Sequence, residues 1–370
     1  MSNRKIGVGM IGMQVERSWS AIAHLPALRL LPDHYAITAV STTREESARA
    51  AAGHYDIPHH FASAEALCAC DAVDLVVVTV KVPEHRALVA AALAAGKHVY
   101  CEWPLGNGLD EAVAMARAAA GAGVVAVAGL QARFAPPLAY VRDIIAQGYV
   151  GDVLSSTLVG TGGVWGPAVP LADAYTADQA NGATMLTIPL GHTLDGIAQA
   201  IGELVEVSAT FAQRRSEQAV IGTDRVVPLT APDQIMVQGT LAGGAPLAIH
   251  YRGGTTRGTG FLWEINGTAG DLQLRGPLGH AQIFDLELFG ASGSDAALAP
   301  LPVPDAYRAG SDAPAIIGNV YRAYRQLAED IATGTRGMPT FDDAVRRHRT
   351  IAAIESSAAN HGRSVHVDVG

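Results

Sequence analysis

The chain has 370 residues, 49% of them hydrophobic and only 16% charged, with a formal net charge of −9 at pH 7. A length beyond roughly 250–300 residues argues for more than one hydrophobic core. The apolar content argues against disorder, and scattered acidic residues with no basic stripe argue against nucleic acid as a partner. Small molecules are the expected ligands. Cys68, Cys70 and Cys101 form neither an even set nor a CxxC pair, so neither a disulfide framework nor a metal site is expected. No apolar segment has the length of a signal peptide h-region or a membrane span, and the expectation is a soluble, cytoplasmic protein that makes no membrane contact.

From Lys5 to about Leu130, short apolar runs alternate with Ala-rich helical ones. Strands are predicted at Ile6 to Ile11, Ile37 to Val40, Leu75 to Val80, His98 to Cys101 and Val124 to Leu130, with helices notably at 86–95 and 109–122. Strands alternating with helices predict a parallel sheet covered on both faces, wound right-handedly in two directions. After Gly151-Asp152 the texture changes to longer segments of alternating polarity separated by Gly-rich turns, among them 153–159, 205–213, 234–241, 247–252, 262–266 and 283–289. These predict an α+β region with a large, mostly antiparallel sheet whose one face is open. Self-association is one way to cover such a face, so a homo-oligomer, dimer or tetramer, is expected. Helical patterns at 185–201, 317–332 and 341–359 complete it, and the expected division is 1–132 and 133–370.

A literal G-x-G-x-x-G stands at Gly7-Val-Gly-Met-Ile-Gly12, but the fingerprint works only where it follows a strand and opens a helix. Here it is the strand. Setting the register by the strand makes Gly12 the first functional glycine and puts Gln14 in place of the second. The loop then runs through Arg17 to Ser18 and Trp19, with Ser18 capping the helix. Free N–H groups at that helix start suit a dinucleotide pyrophosphate, and Arg17 offers a further cation; an ordinary strand-turn-helix is the other reading. Past the second strand, Ser41-Thr42-Thr43-Arg44 occupies the place where an acid would hold the adenosine ribose. Hydroxyls plus a guanidinium suit a 2′-phosphate. The expected cofactor of this Rossmann-type domain is therefore NADP, with NAD the alternative, unless Arg44 is simply a solvated residue of the following helix.

Several further segments carry a resemblance. They are His24-Leu-Pro-Ala-Leu28, Ala94-Ala-Gly-Lys-His-Val-Tyr-Cys-Glu-Trp-Pro-Leu105, Gly129-Leu-Gln-Ala-Arg-Phe-Ala-Pro136, Gly191-His-Thr-Leu-Asp195, Ile265-Asn-Gly-Thr-Ala-Gly270, and Phe341-Asp-Asp-Ala with His348 and Glu355-Ser. In this order they make the chain similar to the Gfo/Idh/MocA (glucose-fructose oxidoreductase / inositol dehydrogenase) family over essentially its whole length. Ser18-Trp-Ser, Val80-Lys-Val-Pro-Glu-His85, Glu102-Trp-Pro and Gly191-His-Thr-Leu-Asp resemble the subgroup of the yeast galactose-regulon repressor and its bacterial relatives.

The resemblance implies coenzyme contacts from Gly12, Gln14, Arg17, Ser18, Trp19, Ser41, Thr42, Arg44, Val80, Lys81, Pro83, His85, Glu102, Trp103 and Gln131. In dehydrogenases of the family the strand ends Glu-Lys-Pro, and that lysine acts on the substrate hydroxyl with a downstream Asp and His. Trp103 replaces the lysine here, and Thr187, Ile188 and Pro189 fill the region of the Asp. Indole has one donor and no acceptor, so the family mechanism does not carry over intact. His192 and Lys81 are the candidate catalytic groups, the first through an ordinary imidazole pKa, the second through desolvation. Asp195 would orient His192 or meet substrate. Trp103 stacks on a sugar or nicotinamide, or simply packs; Arg133 reaches substrate or forms a domain-junction salt bridge; Trp165 lies in the loop 160–178 expected to set specificity. Two functions remain open: an NAD(P)-dependent oxidoreductase acting on a sugar, polyol or similar polyhydroxy substrate, and a non-catalytic NAD(P)-binding regulator with a regulatory protein partner. Redox-assisted elimination or hydrolysis is a third.

Overall fold

The computed structural model describes residues 4–369. Six strands, β1 (Ile6–Ile11), β2 (Tyr35–Ser41), β3 (His59–Phe61), β4 (Leu75–Val78), β5 (His98–Glu102) and β6 (Ala126–Gly129), form a parallel sheet in the order β3-β2-β1-β4-β5-β6. Its central strands are apolar throughout because both faces are covered; all four residues of β4 are fully buried. Helices α1 (Leu25–Arg29), α2 (Glu45–Tyr55), α3 (Ala64–Cys68), α4 (His85–Ala94) and α5 (Leu109–Ala120) make the crossovers, α1 continuing a π turn at Ser20–His24. The winding direction reverses between β1 and β4, and open α/β sheets take their ligands beyond the carboxyl ends at that point.

After α6 (Pro136–Ala146) come β7 (Val153–Thr161), β8 (Ala168–Val169), α7 (Gly191–Ile201) and strands β9 (Leu204–Ala212), β10 (Glu217–Val220), β11 (Val226–Pro228), β12 (Gln234–Leu241), β13 (Pro246–Arg252), β14 (Phe261–Gly267), β15 (Gly270–Gly276), β16 (Glu287–Ser292) and β17 (Ala299–Pro300). Helices α8 (Ala315–Thr333) and α9 (Phe341–Ala359) and the short β18 (Val365–His366) close the chain. Nine strands pair as β17-β16-β15-β14-β7-β13-β12-β9-β18, and β8, β10 and β11 make a small separate sheet. The large sheet is mixed: β7 and β13 run parallel, and its other neighbours are antiparallel. Alternation sends Ile235 and Val237 into the core and leaves Met236 54% exposed. The registers place Thr210, Met236, His250, Val159 and Leu262 in one row across the open face. No helix among the described residues is long and apolar enough to cross a membrane.

Contacts gather the chain into two compact units. One runs to Leu130 and takes in Ile316–Val345; the other holds Gln131–Ala315 and the residues from Arg346 onward. The return of α8 to the first unit has no counterpart in a linear division of the chain. Its Tyr324, fully buried, lies edge-on to Tyr35 and His24 and against Tyr100, with ring centroids 5.4, 5.6 and 5.3 Å away. In the last turns of α8, Asp330 accepts from the Gly337 and Met338 N–H groups and turns the chain back. Ala128 N–H then donates to Pro339 O at 2.8 Å, and Thr340 bridges Val127, so the outer edge of β6 is capped. Replacing Tyr324 by Ala leaves a ring-sized cavity under α8. We expect a loss of about 3–5 kcal/mol of stability for the first unit, measured by urea unfolding.

Candidate functional site

In the first unit the strand ends converge on a turn that only glycine permits. Gly12 has φ +91°, and a Cβ there would lie 2.5 Å from Val80 Cγ1. Gly12 N–H donates to Ser41 O (2.9 Å) and Thr79 Oγ1 donates to Ile11 O (2.9 Å), tying the ends of β1, β2 and β4 together. Ser18 Oγ accepts from Gln14 N–H at 2.9 Å, more weakly from Ala21 N–H at 3.4 Å, and lies 2.8 Å from Ser20 Oγ. The expected cap thus closes the loop as well as the helix start. Gln14 and Arg17 are exposed, and the half-buried Trp19 has an indole N–H that is buried without a hydrogen-bond partner. At the end of β2, Ser41 is buried, and Thr42 Oγ1 donates to Arg44 O or Ser47 Oγ. Arg44 is exposed and forms no ion pair among the described residues. A cradle without a side chain, a helix start and an unneutralised guanidinium fit a dinucleotide phosphate group.

Beyond β4, Lys81 and Pro83 are exposed. The desolvation expected to turn Lys81 into a base is not supplied by this chain, which corrects that expectation. His85 is buried, with Nε2 3.0 Å from Val80 O and Nδ1 2.9 Å from Pro104 O. Burial lowers its pKa; a neutral imidazole has one N–H, so it donates to one of these carbonyls at a time. His85 is a clamp between two loops. Glu102 ends β5, and Trp103, 5% exposed, precedes a cis proline. Trp103 is set into the packing and offers little surface for stacking.

In the second unit Gln131 is buried in the turn Gln131–Phe134. His192 sits in the first turn of α7, 3% exposed, and its Nδ1 is buried with no hydrogen-bond partner. Burial first, and then neighbouring His280, push its pKa down to about 3. This corrects the expectation of a group titrating near neutrality: the imidazole stays neutral at physiological pH. His280 donates from Nε2 to Gly162 O at 2.6 Å, while its Nδ1 accepts from Gln282 Nε2 at 3.3 Å. Neither residue had a sequence signal, since the turn that carries them is some 90 residues from His192 in the chain and belongs to no motif.

Asp195 does not orient His192. It is fully buried and accepts from Arg133 Nε (2.6 Å) and Nη2 (2.9 Å), with Arg347 Nε at 3.7 Å and Arg347 also bonded to Glu203. Arg133 thereby forms a salt bridge inside this unit, and its partner Asp195 is withdrawn from solvent. Trp165 is likewise withdrawn, at 1% exposure with φ +60°, its Nε1–H donating to Thr176 O at 3.0 Å. It wedges the 160–178 loop from beneath. Tyr251 lies over Gly160, where a Cβ would come within 2.5 Å of the ring, and its hydroxyl is 2.8 Å from Thr193 Oγ1 on α7.

Four histidines, the buried His85, His192 and His348 and the half-buried His280, have pKa values lowered first by burial, that of His348 to about 4. The unfolded chain binds their protons below about pH 6.5 while the folded chain refuses them. Stability therefore holds above that pH and declines as pH falls toward 4, by about 1.4 kcal/mol per pH unit for each histidine that stays neutral. Urea midpoints between pH 7.5 and 4.5 measure this, and His348→Gln is expected to flatten the slope.

Residues 6–130 match the model of the oxidoreductase family with an NAD-binding Rossmann fold, and residues 136–276 that of the Gal80p C-terminal domain. The galactose/lactose metabolism regulatory protein GAL80 of Saccharomyces cerevisiae is 29% identical over 95% of this chain and 92% of its own length. A crystal structure of a super-repressor mutant of that Gal80p superimposes with a TM-score of 0.90 at 28% identity, covering 98% of each chain. Dehydrogenase aclE of Aspergillus oryzae is 29% identical over 96% of this chain and 97% of its own. A levoglucosan dehydrogenase solved with NADH and levoglucosan shares the fold at a TM-score of 0.85 and 22% identity, over 99% of this chain and 100% of that one. The chain belongs to the Gfo/Idh/MocA oxidoreductase family, its NAD-binding Rossmann fold joined to a second domain of the Gal80p C-terminal type.

Proposed function

We propose that the protein binds a nicotinamide dinucleotide, NADP in preference to NAD, and acts as an oxidoreductase on a hydroxyl of a sugar, polyol or similar polyhydroxy compound. The observation that carries the reading is the buried, unpartnered Nδ1 of His192. Buried polar atoms in folded proteins are nearly always partnered, and an orphan of this kind suits a ligand hydroxyl. Gly12, Ser18, Trp19, Ser41, Thr42 and Arg44 hold the coenzyme's phosphates and adenosine end, with Val80, Lys81 and Glu102 toward its nicotinamide end. When bound, the nicotinamide ring supplies the hydride acceptor or donor. His192 stays neutral, so it acts only as a hydrogen-bond partner to the reacting oxygen, as uncharged imidazoles do elsewhere, and the hydroxyl proton leaves to solvent. His280 and Gln282 fix the surroundings of that ring. The similarity to aclE supports catalysis.

A second reading is a coenzyme-binding regulator that turns nothing over and answers to a protein partner. Trp103 in the lysine position and the depressed His192 favour it, as does the similarity to GAL80. On either reading the open face of the large sheet, with Met236 exposed at its centre and a polar groove along Thr157, Ser208 and Gln238, is covered by a second copy.

Titration with NADP and NAD, followed by a panel of sugars and polyols read by nicotinamide absorbance, tests these readings. Arg44→Ala is expected to weaken NADP about tenfold and NAD little, from the loss of one charge-assisted contact. His192→Ala is expected to lower turnover by roughly 10²-fold, and Lys81→Ala by less. Tight coenzyme uptake with no turnover on any substrate transfers the conclusion to the regulator. For assembly, Met236→Glu is expected to shift sedimentation from oligomer toward monomer; an unchanged profile rules that face out.

A further inference from the structure

The segment that carries Trp103 is held from the side chain as well as from the backbone. His24, wholly buried at the end of the first π turn, has Nε2 3.0 Å from Glu102 Oε1 and Nδ1 2.7 Å from Tyr324 Oη. A carboxylate only accepts, and a neutral imidazole offers one N–H and one lone pair. The arrangement that satisfies all three groups has Tyr324 O–H donating to Nδ1 and Nε2–H donating to Glu102. Edge contacts from Trp19, Tyr100 and Tyr324, at centroid distances of 6.3, 5.2 and 5.6 Å, fix the plane of the ring. Tyr324 is itself anchored, since Tyr35 Oη donates to its carbonyl at 2.7 Å. The chain of contacts thus runs from β2 through α8 and the first helical turn to the carboxylate at the end of β5.

We propose that His24 is a positioning residue for Glu102, aiming its carboxylate at a hydroxyl of the bound coenzyme, and that Tyr324 selects the tautomer that makes this possible. The proposal rests on the coenzyme reading given above. Its consequence is that coenzyme affinity depends on a helix encoded after the long first segment of the second unit. A residue that merely packs the core would change stability and leave the energetic link to Glu102 at zero; a positioning residue must show coupling.

The test is a double-mutant cycle read by fluorescence titration with NADPH, with thermal midpoints recorded alongside. His24→Leu is expected to weaken NADPH binding about tenfold and Tyr324→Phe about threefold, the scale of losing a hydrogen bond to a charged acceptor or the group that orients it. In a Glu102→Ala background neither change is expected to weaken binding further. His24→Gln, whose amide can donate to Glu102, is expected to recover part of the loss. Tyr324→Phe keeps the ring and its packing, so the cycle stays readable if His24→Leu does not fold. Equal losses with and without Glu102, or unchanged affinity in both single variants, overturn the proposal while leaving the coenzyme reading intact. Wild-type protein that takes up neither coenzyme overturns that reading and this proposal together.

Discussion

The coenzyme end of the first unit depends on how closely the turn after β1 approaches the end of β4. With Val80 Cγ1 where a side chain on residue 12 would have to lie, the two strand ends meet only because that position is glycine. From this approach follow the tie between Gly12 and Ser41, the placement of Ser18 at the helix start and the position of His85 over Val80. A parallel sheet gathers all its carboxyl ends on one edge, so a single close contact there organises residues at the ends of three strands.

The second unit solves a different problem, that of carrying charge in its interior. Asp195, Arg133, Arg347 and Glu203 neutralise one another beside α7, and breaking such a network by removing one member leaves an uncompensated buried charge. His192, three residues before Asp195, is kept outside the network and uncharged. The helix thus has one face committed to internal electrostatics and a single imidazole withheld from it. Such a division of roles suits a ligand read by hydrogen bonding.

Much of this was legible in the sequence, for local reasons. The strand positions of the first unit followed from continuous apolar runs, the second sheet from alternation, and the rejection of the literal glycine motif from the strand it lies in. The family was legible because its motifs come in a specific order. What the sequence concealed depended on distant partners. Asp195 looked like an orienting acid because it stands one turn from His192, but Arg133 lies 62 residues back and claims it. Lys81 and Trp165 were chosen by residue type and position, and only packing shows that one faces solvent and the other lies buried under its own loop. His280 and Tyr324 could not be found at all, since each acts through a pairing with no periodic or spacing signature.

Chain order makes the late arrival of α8 matter during synthesis. When the sixth strand leaves the ribosome, Tyr35, Tyr100 and His24 have no cover, and nearly two hundred further residues must be translated before the ring that shields them is made. Domains that mature as they emerge close their cores early. This one cannot, because the ring that packs on those three side chains is encoded at residue 324.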